Sequence, residues 1–218
     1  CTWAADRHER TGGALKIRIV KGANLAMERV EAELHGWSQA PYATKAEVDA
    51  SFKRLVLFAL ADRFAGAIRV GFASHNLFDL AWALGLPARD RLDIERLEGM
   101  APAQSRTVRD EAGEVLLYAP VVRHDDLAAS IAYLTRRLDE NTSPDNFLRA
   151  LFTLQPGSVE WHEQRARFEA AVKAVQSVST VSRRTQDRTR PAPPVAVDSF
   201  KNCADTDWTQ AANRSWIA

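Results

Sequence analysis

The sequence has 218 residues, with 29 basic and 28 acidic side chains and a formal net charge of +1 at pH 7. This balance gives no electrostatic reason to expect a nucleic acid or an anionic membrane as a partner. No run approaches the roughly 18 apolar residues of a membrane span, and two cysteines, Cys1 and Cys203, are too few for a disulfide framework or a metal cluster. We therefore expect a cytoplasmic protein without a metal site.

The N-terminal residues have the pattern of a helix end. Residue 1 is Cys rather than Met, and residues 1–10 read as the tail of a helix that Gly12 and Gly13 terminate. We expect this chain to be an internal part of a longer reading frame.

Strand and helix patterns alternate between residues 14 and 140. Short apolar runs predict strands at 14–20, 67–73, 91–97 and 115–119. Helical spacing of apolar residues predicts helices at 25–34, from Thr44 to Gly66, and at 77–84, 102–111 and 124–140. This alternation predicts parallel strands with crossover helices, in an α/β fold. An open doubly wound sheet and half of an eight-stranded barrel fit the pattern equally well.

The pattern changes after residue 141. Two helices are predicted, one that begins at Ser143 and Pro144 and one over 158–176. Residues 177–196 are rich in Ser, Thr, Arg and Pro, which is typical of an exposed linker. Trp208 and Trp216 follow it and are expected to be apolar anchors in the first residues of another domain.

Unusual residues follow the predicted strands, where parallel α/β folds bind their ligands. In chain order they are Lys21, Gly22 and Ala23, then Ser74, His75 and Asn76, then Gly99 and Met100, and Tyr118 at the fourth strand. Gly and Asn are also ordinary turn formers. Their recurrence at four successive junctions nevertheless predicts a shared ligand-binding edge.

The helix over 124–140 has an apolar stripe of Leu127, Ile131, Leu134 and Leu138, of the kind that faces a core. Away from the stripe, Tyr133 and Arg137 are four residues apart, as are Arg136 and Glu140. One interpretation is a solvated face with ordinary helix pairs. The other is a pair of guanidinium groups that holds a carboxylate or phosphate. His75 has the same two interpretations, an ordinary turn residue or a ligand contact.

Five motifs in this order resemble the proline dehydrogenase family, in barrel strands five to eight and the eighth helix. They are R-x-V-K-G-A at 18–23, A-[TS]-H-N at 73–76, L-x-G-M at 97–100, Y-x-P-V at 118–121 and Y-L-x-R-R-L-x-E at 133–140. The resemblance implies the C-terminal half, strand–helix units 5–8, of a (β/α)8 TIM-like barrel. It departs from the family at Asn24, where many members have an aromatic residue, and at Glu98, where some have His.

The resemblance also implies FAD as cofactor and the oxidation of L-proline to 1-pyrroline-5-carboxylate, with hydride transfer from proline C5 to the flavin. Arg18 would be catalytic, beside flavin N5. Substrate would be bound by Arg136, Arg137, Tyr118 and Leu97, with the two arginines on the proline carboxylate. Cofactor contacts would come from Arg18, Val20, Lys21, Gly22, Ala23, Ser74, His75 and Glu140.

Residues 184–188 and 200–216 resemble the bifunctional, proline utilization A type members of the family, in which a linker leads into an aldehyde dehydrogenase domain. The predicted domains are the half-barrel at 1–141, a helical connector at 142–176, a linker at 177–196 and a truncated aldehyde dehydrogenase start at 197–218. The family expectation for the electron acceptor is quinone, with the parent enzyme peripheral to the inner membrane face. A homo-oligomer is compatible with the resemblance, and this segment is not expected to bind nucleic acid.

Two other interpretations of the sequence stay open. A degenerate, truncated gene could leave a non-catalytic remnant that acts as an interaction module through exposed strand edges. An unrelated phosphate-binding α/β domain would use Arg136 and Arg137 for phosphate instead of proline.

Half a barrel leaves two strand edges unpaired and half of its core uncovered. We therefore predict that the isolated 218-residue chain is unstable and does not oxidise proline. A purified chain that oxidised proline at a rate typical of the family would contradict this prediction.

Overall fold

A computed structural model describes residues 1–22, 25–142, 146–191 and 202–218, without the side chains of residues 139 and 140. Its sheet has four parallel strands in the order β1-β2-β3-β4. They are β1 (Leu15–Ile19), β2 (Ile68–Ala73), β3 (Leu92–Leu97) and β4 (Leu116–Tyr118). Strand order follows chain order without the reversal that defines a doubly wound sheet. The order is that of consecutive units of a (β/α)8 barrel, which confirms the predicted fold class.

Nine α-helices lie in the described part of the chain. They are α1 (Thr2–Thr11), α2 (Leu25–His35), α3 (Lys45–Ala59), α4 (Leu77–Leu84), α5 (Pro102–Ala112), α6 (Leu127–Thr142), α7 (Phe147–Leu151), α8 (Val159–Ala174) and α9 (Ala211–Ile217). Two predicted boundaries differ from the structure by three or more residues, and the predicted helix start at Ser143 and Pro144 lies outside the described residues. α3 ends at Ala59 rather than at Gly66, because a 3-10 turn, Asp62–Phe64, brings Phe64 into the core. α6 begins at Leu127, after a separate 3-10 turn, His124–Asp126.

The core lies on one face of the sheet, beneath α3 and α4. Alternate residues of β2 (Ile68, Val70 and Phe72) are at most 1% exposed, as expected for side chains that point to one face of a strand. The ring of Phe72 packs against Phe52 of α3, with 5.0 Å between centroids, and against Trp82 of α4 at 6.4 Å. Burial of these rings is the main stabilisation of the sheet–helix layer.

The described helices that follow the sheet add a second apolar contact to α4. Phe78 lies with its ring centroid 4.8 Å from that of Trp161 and 6.0 Å from that of Phe168, both on α8. Phe147 of α7 approaches Phe78 edge-on at 6.4 Å. The segment predicted as a helical connector therefore packs on the sheet–helix layer through aromatic side chains.

The apolar stripe of α6 is not buried. Leu127, Ile131, Leu134 and Leu138 are 48–65% exposed. Among the described residues, α6 packs mainly on α7 and on the preceding 3-10 turn, and these contacts do not cover the stripe. The expectation that this stripe faces a core is therefore wrong for the described part of the chain.

Residues 1–21 and 45–178 form one compact unit, and residues 22–44 and 179–218 form another. In the second unit, Trp37 Nε1 donates to the carbonyl of Asp205 at 2.7 Å, and Arg183 Nη1 donates to that of Pro41 at 3.0 Å. Its buried residues in the described part of the chain are Ala32, Asp207 and Asn213, whereas Trp208 and Trp216 are about half exposed. The two tryptophans are therefore not the expected anchors, and Asn213 Nδ2 instead donates to the carbonyl of Asp207 at 2.9 Å in the interior.

None of the helices in the described residues has both the length and the apolar character that a membrane span needs.

A buried ion pair joins α3 to α4. Lys53 Nζ donates to Asp79 Oδ1 at 2.6 Å, and both side chains are 1% exposed. Burial lowers the pKa of Lys53, and the charge of Asp79 opposes that effect. The ammonium group also lies 4.9 Å from the ring centroid of Phe168. The charge of Lys53 therefore depends on Asp79, because the side chain of Lys53 is shielded from solvent.

We predict that Asp79→Ala lowers the free energy of unfolding by about 3–5 kcal/mol, because it leaves a buried ammonium group without its carboxylate. The matched control is Glu169→Ala, which removes an exposed helix pair with Arg165 and should cost less than about 1 kcal/mol. Urea unfolding of the product of the full reading frame, followed by tryptophan fluorescence, measures both. Equal losses for the two variants would contradict the prediction.

Candidate active site

The strand register brings the ends of β2, β3 and β4 to one edge of the sheet. Leu97 pairs with Tyr118 in the parallel ladder, and Ala73 pairs with Glu95. The Ser74 N–H donates to the carbonyl of Glu95 at 3.3 Å, and the Glu98 N–H donates to that of Tyr118 at 2.9 Å. Predicted site residues from three separate motifs therefore lie along this edge, where parallel folds bind ligands.

Arg18 crosses the face of the sheet opposite the apolar core. Its Nε donates to Glu95 Oε2 at 2.6 Å, and its guanidinium carbon lies 4.8 Å from the ring centroid of Tyr118. The Arg18 side chain is 40% exposed, whereas that of Glu95 is 3% exposed. The structure thus brings together two predicted residues and adds Glu95, which the sequence interpretation missed. Its signal was an acidic side chain inside a strand, two residues before Leu97.

Lys21 has partners within the protein. Its Nζ lies 2.8 Å from Asp49 Oδ1 and also contacts Asp79. Burial disfavours the charged amine, but the carboxylates of Asp79 and Asp49 outweigh burial and raise the pKa of Lys21. The ammonium group therefore stabilises the junction of β1, α3 and α4. A cofactor contact at Lys21 would come from its backbone.

The residues after β2 form a turn that orients His75. The Ser74 hydroxyl accepts the Asn76 N–H at 3.1 Å, and Asn76 Oδ1 caps α4 by accepting the Phe78 and Asp79 N–H groups at 2.9 and 3.3 Å. These side chains satisfy backbone donors that a helix start leaves open. Asn76 is thus explained by helix capping, and Ser74 by the turn itself.

His75 contacts the neighbouring strand. Its Nε2 accepts the Leu97 N–H at 3.2 Å, so the neutral ring carries its proton on Nδ1. Burial, with the positive charge of Arg96, lowers the pKa of His75 to about 4. Nδ1 is buried and has no hydrogen-bond partner in the described structure. The ring is therefore a neutral donor at the edge of the sheet.

The arginine pair lies on α6. The guanidinium carbon of Arg137 is 5.1 Å from the ring centroid of Tyr133, which confirms the predicted i,i+4 pair. Arg136 is exposed. At the end of this helix Asn141 Nδ2 donates to Met100 Sδ at 3.6 Å, which brings α6 to the loop after β3. Asn141 was not among the predicted site residues.

The loop after β3 borders a cavity of about 200 Å³. Leu97, Glu98 and Gly99 line it, with Arg106 and Arg109 of α5. Gly99 has a φ of +75°, a conformation that a side chain would strain. The Glu98 departure from the family motif therefore concerns the lining of this cavity.

Several predicted site residues are only partly described. Ala23 and Asn24 lie outside the described residues, as does the side chain of Glu140, so the predicted Arg136–Glu140 pair is not described. Val20 is 45% exposed. Gly22 has a φ of +80°, with open space where a side chain would begin.

The His75 ring predicts a pH dependence of stability. The unfolded ring takes up a proton below its ordinary pKa of 6.5, whereas the folded ring does so only near pH 4. The contribution of His75 to stability is therefore fully present above pH 6.5, and it is lost as the pH falls from 6.5 towards 4. We expect His75→Gln to remove about 1–2 kcal/mol of the loss between pH 7 and pH 5, allowing for partial exposure. Urea unfolding of the product of the full reading frame at both pH values measures this, with the exposed His162→Gln as control. Identical pH dependence in the two variants would contradict it.

Comparisons with known proteins identify the family of this chain. Residues 1–150 match the family model of proline dehydrogenase. The bifunctional protein PutA of Rhizobium meliloti is 32% identical over 154 residues, which are 67% of this chain and 12% of that protein. The hydroxyproline dehydrogenase of Homo sapiens is 29% identical over 147 residues, 64% of this chain and 31% of that protein.

Solved structures extend the similarity. Proline utilization A from Corynebacterium freiburgense superposes with a TM-score of 0.76 at 40% identity, over 99% of this chain and 20% of that one. The Bdellovibrio bacteriovorus protein, inactivated by N-propargylglycine, gives a TM-score of 0.70 at 29% identity, over 98% of this chain and 21% of that one. The chain thus spans between about an eighth and a third of the length of these relatives. With a family match over most of its length, this chain belongs to the proline dehydrogenase family.

Proposed function

We propose that this chain contributes to the FAD-dependent oxidation of L-proline to 1-pyrroline-5-carboxylate by its complete parent enzyme. The observation that carries the proposal is the chain of contacts at the carboxyl edge of the sheet, in which Arg18 lies over Tyr118, Tyr118 pairs with Leu97, and the Leu97 N–H donates to His75. Membership of the proline dehydrogenase family supports the same chemistry.

The residues at this edge fit a flavin dinucleotide. His75 Nδ1–H is a buried donor without a partner among the described residues, and phosphate, carbonyl and ring-nitrogen acceptors would suit it. The Arg18 guanidinium is partly exposed and can stabilise negative charge on a reduced ring. At Gly22, no neighbouring atom lies within 4 Å of the position of an added Cβ. A bound flavin would supply the capacity to accept a hydride.

The residues of this chain would bind and orient proline. Arg136 and Arg137 would hold its carboxylate, because guanidinium groups match that anion in shape and charge. Tyr118 and Leu97 would form the walls of the pocket and exclude water. Arg18 would keep a positive charge beside the reacting atoms. Ser74, His75, Glu140 and the backbone of 20–23 would contact the cofactor.

Further proposals concern the electron acceptor, the location and the second domain of the parent enzyme. We propose quinone as the electron acceptor, a cytoplasmic location with contact to the inner membrane face, and an aldehyde dehydrogenase domain that begins near residue 197. The PutA relatives are bifunctional by name, which supports the last of these. A homo-oligomeric parent enzyme is compatible with the proposed function.

We predict that the product of the full reading frame is yellow and that L-proline bleaches its flavin absorbance in the absence of oxygen. The hydride leaves proline and the oxidised absorption band is lost. Anaerobic spectrophotometry measures this, with D-proline as a control for stereospecific binding. A yellow protein that L-proline does not bleach would overturn the substrate assignment, and a colourless one would favour the non-catalytic remnant.

We predict that Arg136→Met and Arg137→Met each weaken proline binding at least about tenfold, since each removes a charge-assisted bond to the carboxylate. Flavin content should be retained. Titration of the flavin spectrum with proline gives the affinity. The control is Arg149→Met, which removes an exposed arginine from α7. Unchanged affinity in both α6 variants would remove the proposed clamp.

A further inference from the structure

Glu95 is a buried carboxylate in the middle of β3, on the same face of the sheet as Arg18. Its side chain is 3% exposed, and Oε2 accepts from Arg18 Nε at 2.6 Å. A buried carboxylate is costly without a charged or hydrogen-bonded partner. Arg18, on β1, meets that need across the intervening strand β2.

The intervening strand leaves room for this contact. Gly71 of β2 pairs with Arg18 on one side and with Asp93 on the other. A Cβ at residue 71 would lie 2.2 Å from Glu95 Oε1 and 2.9 Å from its carboxyl carbon. Any side chain at this position would therefore displace the carboxylate. The absence of a side chain at Gly71 is a requirement of the Arg18–Glu95 pair.

The other charges on this face have different partners. Asp93 lies 2.6 Å from Arg69 Nη2 and 2.8 Å from Lys16 Nζ, whereas Lys16 is 3.8 Å from Glu95 Oε1. Asp93 is therefore the closer carboxylate to both Lys16 and Arg69. Glu95 is left as the close partner of Arg18.

The two contacts of Arg18 fix its guanidinium group from two directions. Glu95 holds Nε, and the ring of Tyr118 lies against the guanidinium plane. Within the described residues, the hydrogen bond from this side chain to Glu95 is made by Nε, and the Arg18 side chain is 40% exposed. This exposure leaves Nη1 and Nη2 as donors that can contact a ligand at the edge of the sheet.

We propose that Glu95 is a positioning residue, which holds Arg18 in the orientation that promotes flavin reduction. The proposal rests on the proposed function, in which Arg18 is the catalytic residue. Glu95 has no direct contact with proline or flavin in this scheme. Its effect on the reaction therefore passes through Arg18.

A double-mutant cycle tests this dependence in the flavin-loaded product of the full reading frame. Glu95→Ala is compared in two backgrounds, native Arg18 and Arg18→Met, and Glu95→Gln retains a hydrogen-bond acceptor. With native Arg18, we expect Glu95→Ala to slow anaerobic flavin reduction by proline about tenfold. In the Arg18→Met background, we expect it to slow the same reaction less than about twofold. This difference is the size of coupling seen for contacting residues. Glu95→Gln should restore most of the rate. Proline affinity should change less than the rate.

The flavin midpoint potential gives a second readout that needs no proline. Removing the carboxylate also changes the local charge, and comparison with Glu95→Gln separates that direct effect from the loss of the contact with Arg18. The midpoint-potential shift caused by Glu95→Ala is compared between native Arg18 and Arg18→Met, and the difference between the two shifts measures the effect through Arg18. We expect the shift to be more negative with native Arg18. Asp93→Ala, which removes the other carboxylate of this face, is the control and should leave the Arg18-dependent part unchanged.

Gly71→Ala provides an independent variant that keeps the carboxylate but displaces it, and it should reproduce the slower reduction if Glu95→Ala fails to fold. Equal effects of Glu95→Ala in both backgrounds, on rate and on potential, would overturn the positioning role. Failure of proline to reduce the native enzyme would overturn the proposed function instead, while the coupling in midpoint potential would still decide the role of Glu95.

Discussion

The segregation of side chains between the two faces of the parallel sheet is the constraint on which this structure depends. Because successive residues of a strand point to opposite faces, β2 places Ile68, Val70 and Phe72 in the apolar core and leaves Gly71 on the other face. The charged face can then hold ion pairs without disturbing the packing of α3 and α4. Ion pairing and apolar packing therefore act on alternate residues of the same strands.

Features that depend on local order along the chain could be predicted from the sequence. The strand–helix alternation, the parallel pairing and the Tyr133–Arg137 contact follow from periodicity or from four-residue spacing. The register of adjacent strands then makes the predicted edge residues neighbours, as Leu97 and Tyr118 are.

Features that depend on distant partners could not be predicted in this way. Arg18 and Glu95 are 77 positions apart, and Lys53 and Asp79 are 26 apart, so each pair exists only once the register and helix packing are set. The exposed stripe of α6 fails for a related reason. Its apolar period is clear, but a periodic apolar stripe indicates only that the helix packs against another segment. It does not identify that segment.

Arg96 is a buried charge that lies near the edge of the sheet and affects the pKa of His75. Its side chain is 1% exposed, and its three guanidinium nitrogens lack hydrogen-bond partners in the described structure. Burial lowers its pKa, as expected for a charge that neither water nor a carboxylate stabilises. The same charge contributes to the low pKa of His75. The buried Arg96 thus helps burial to keep the neighbouring imidazole neutral, with its Nδ1–H available as a donor at the edge of the sheet.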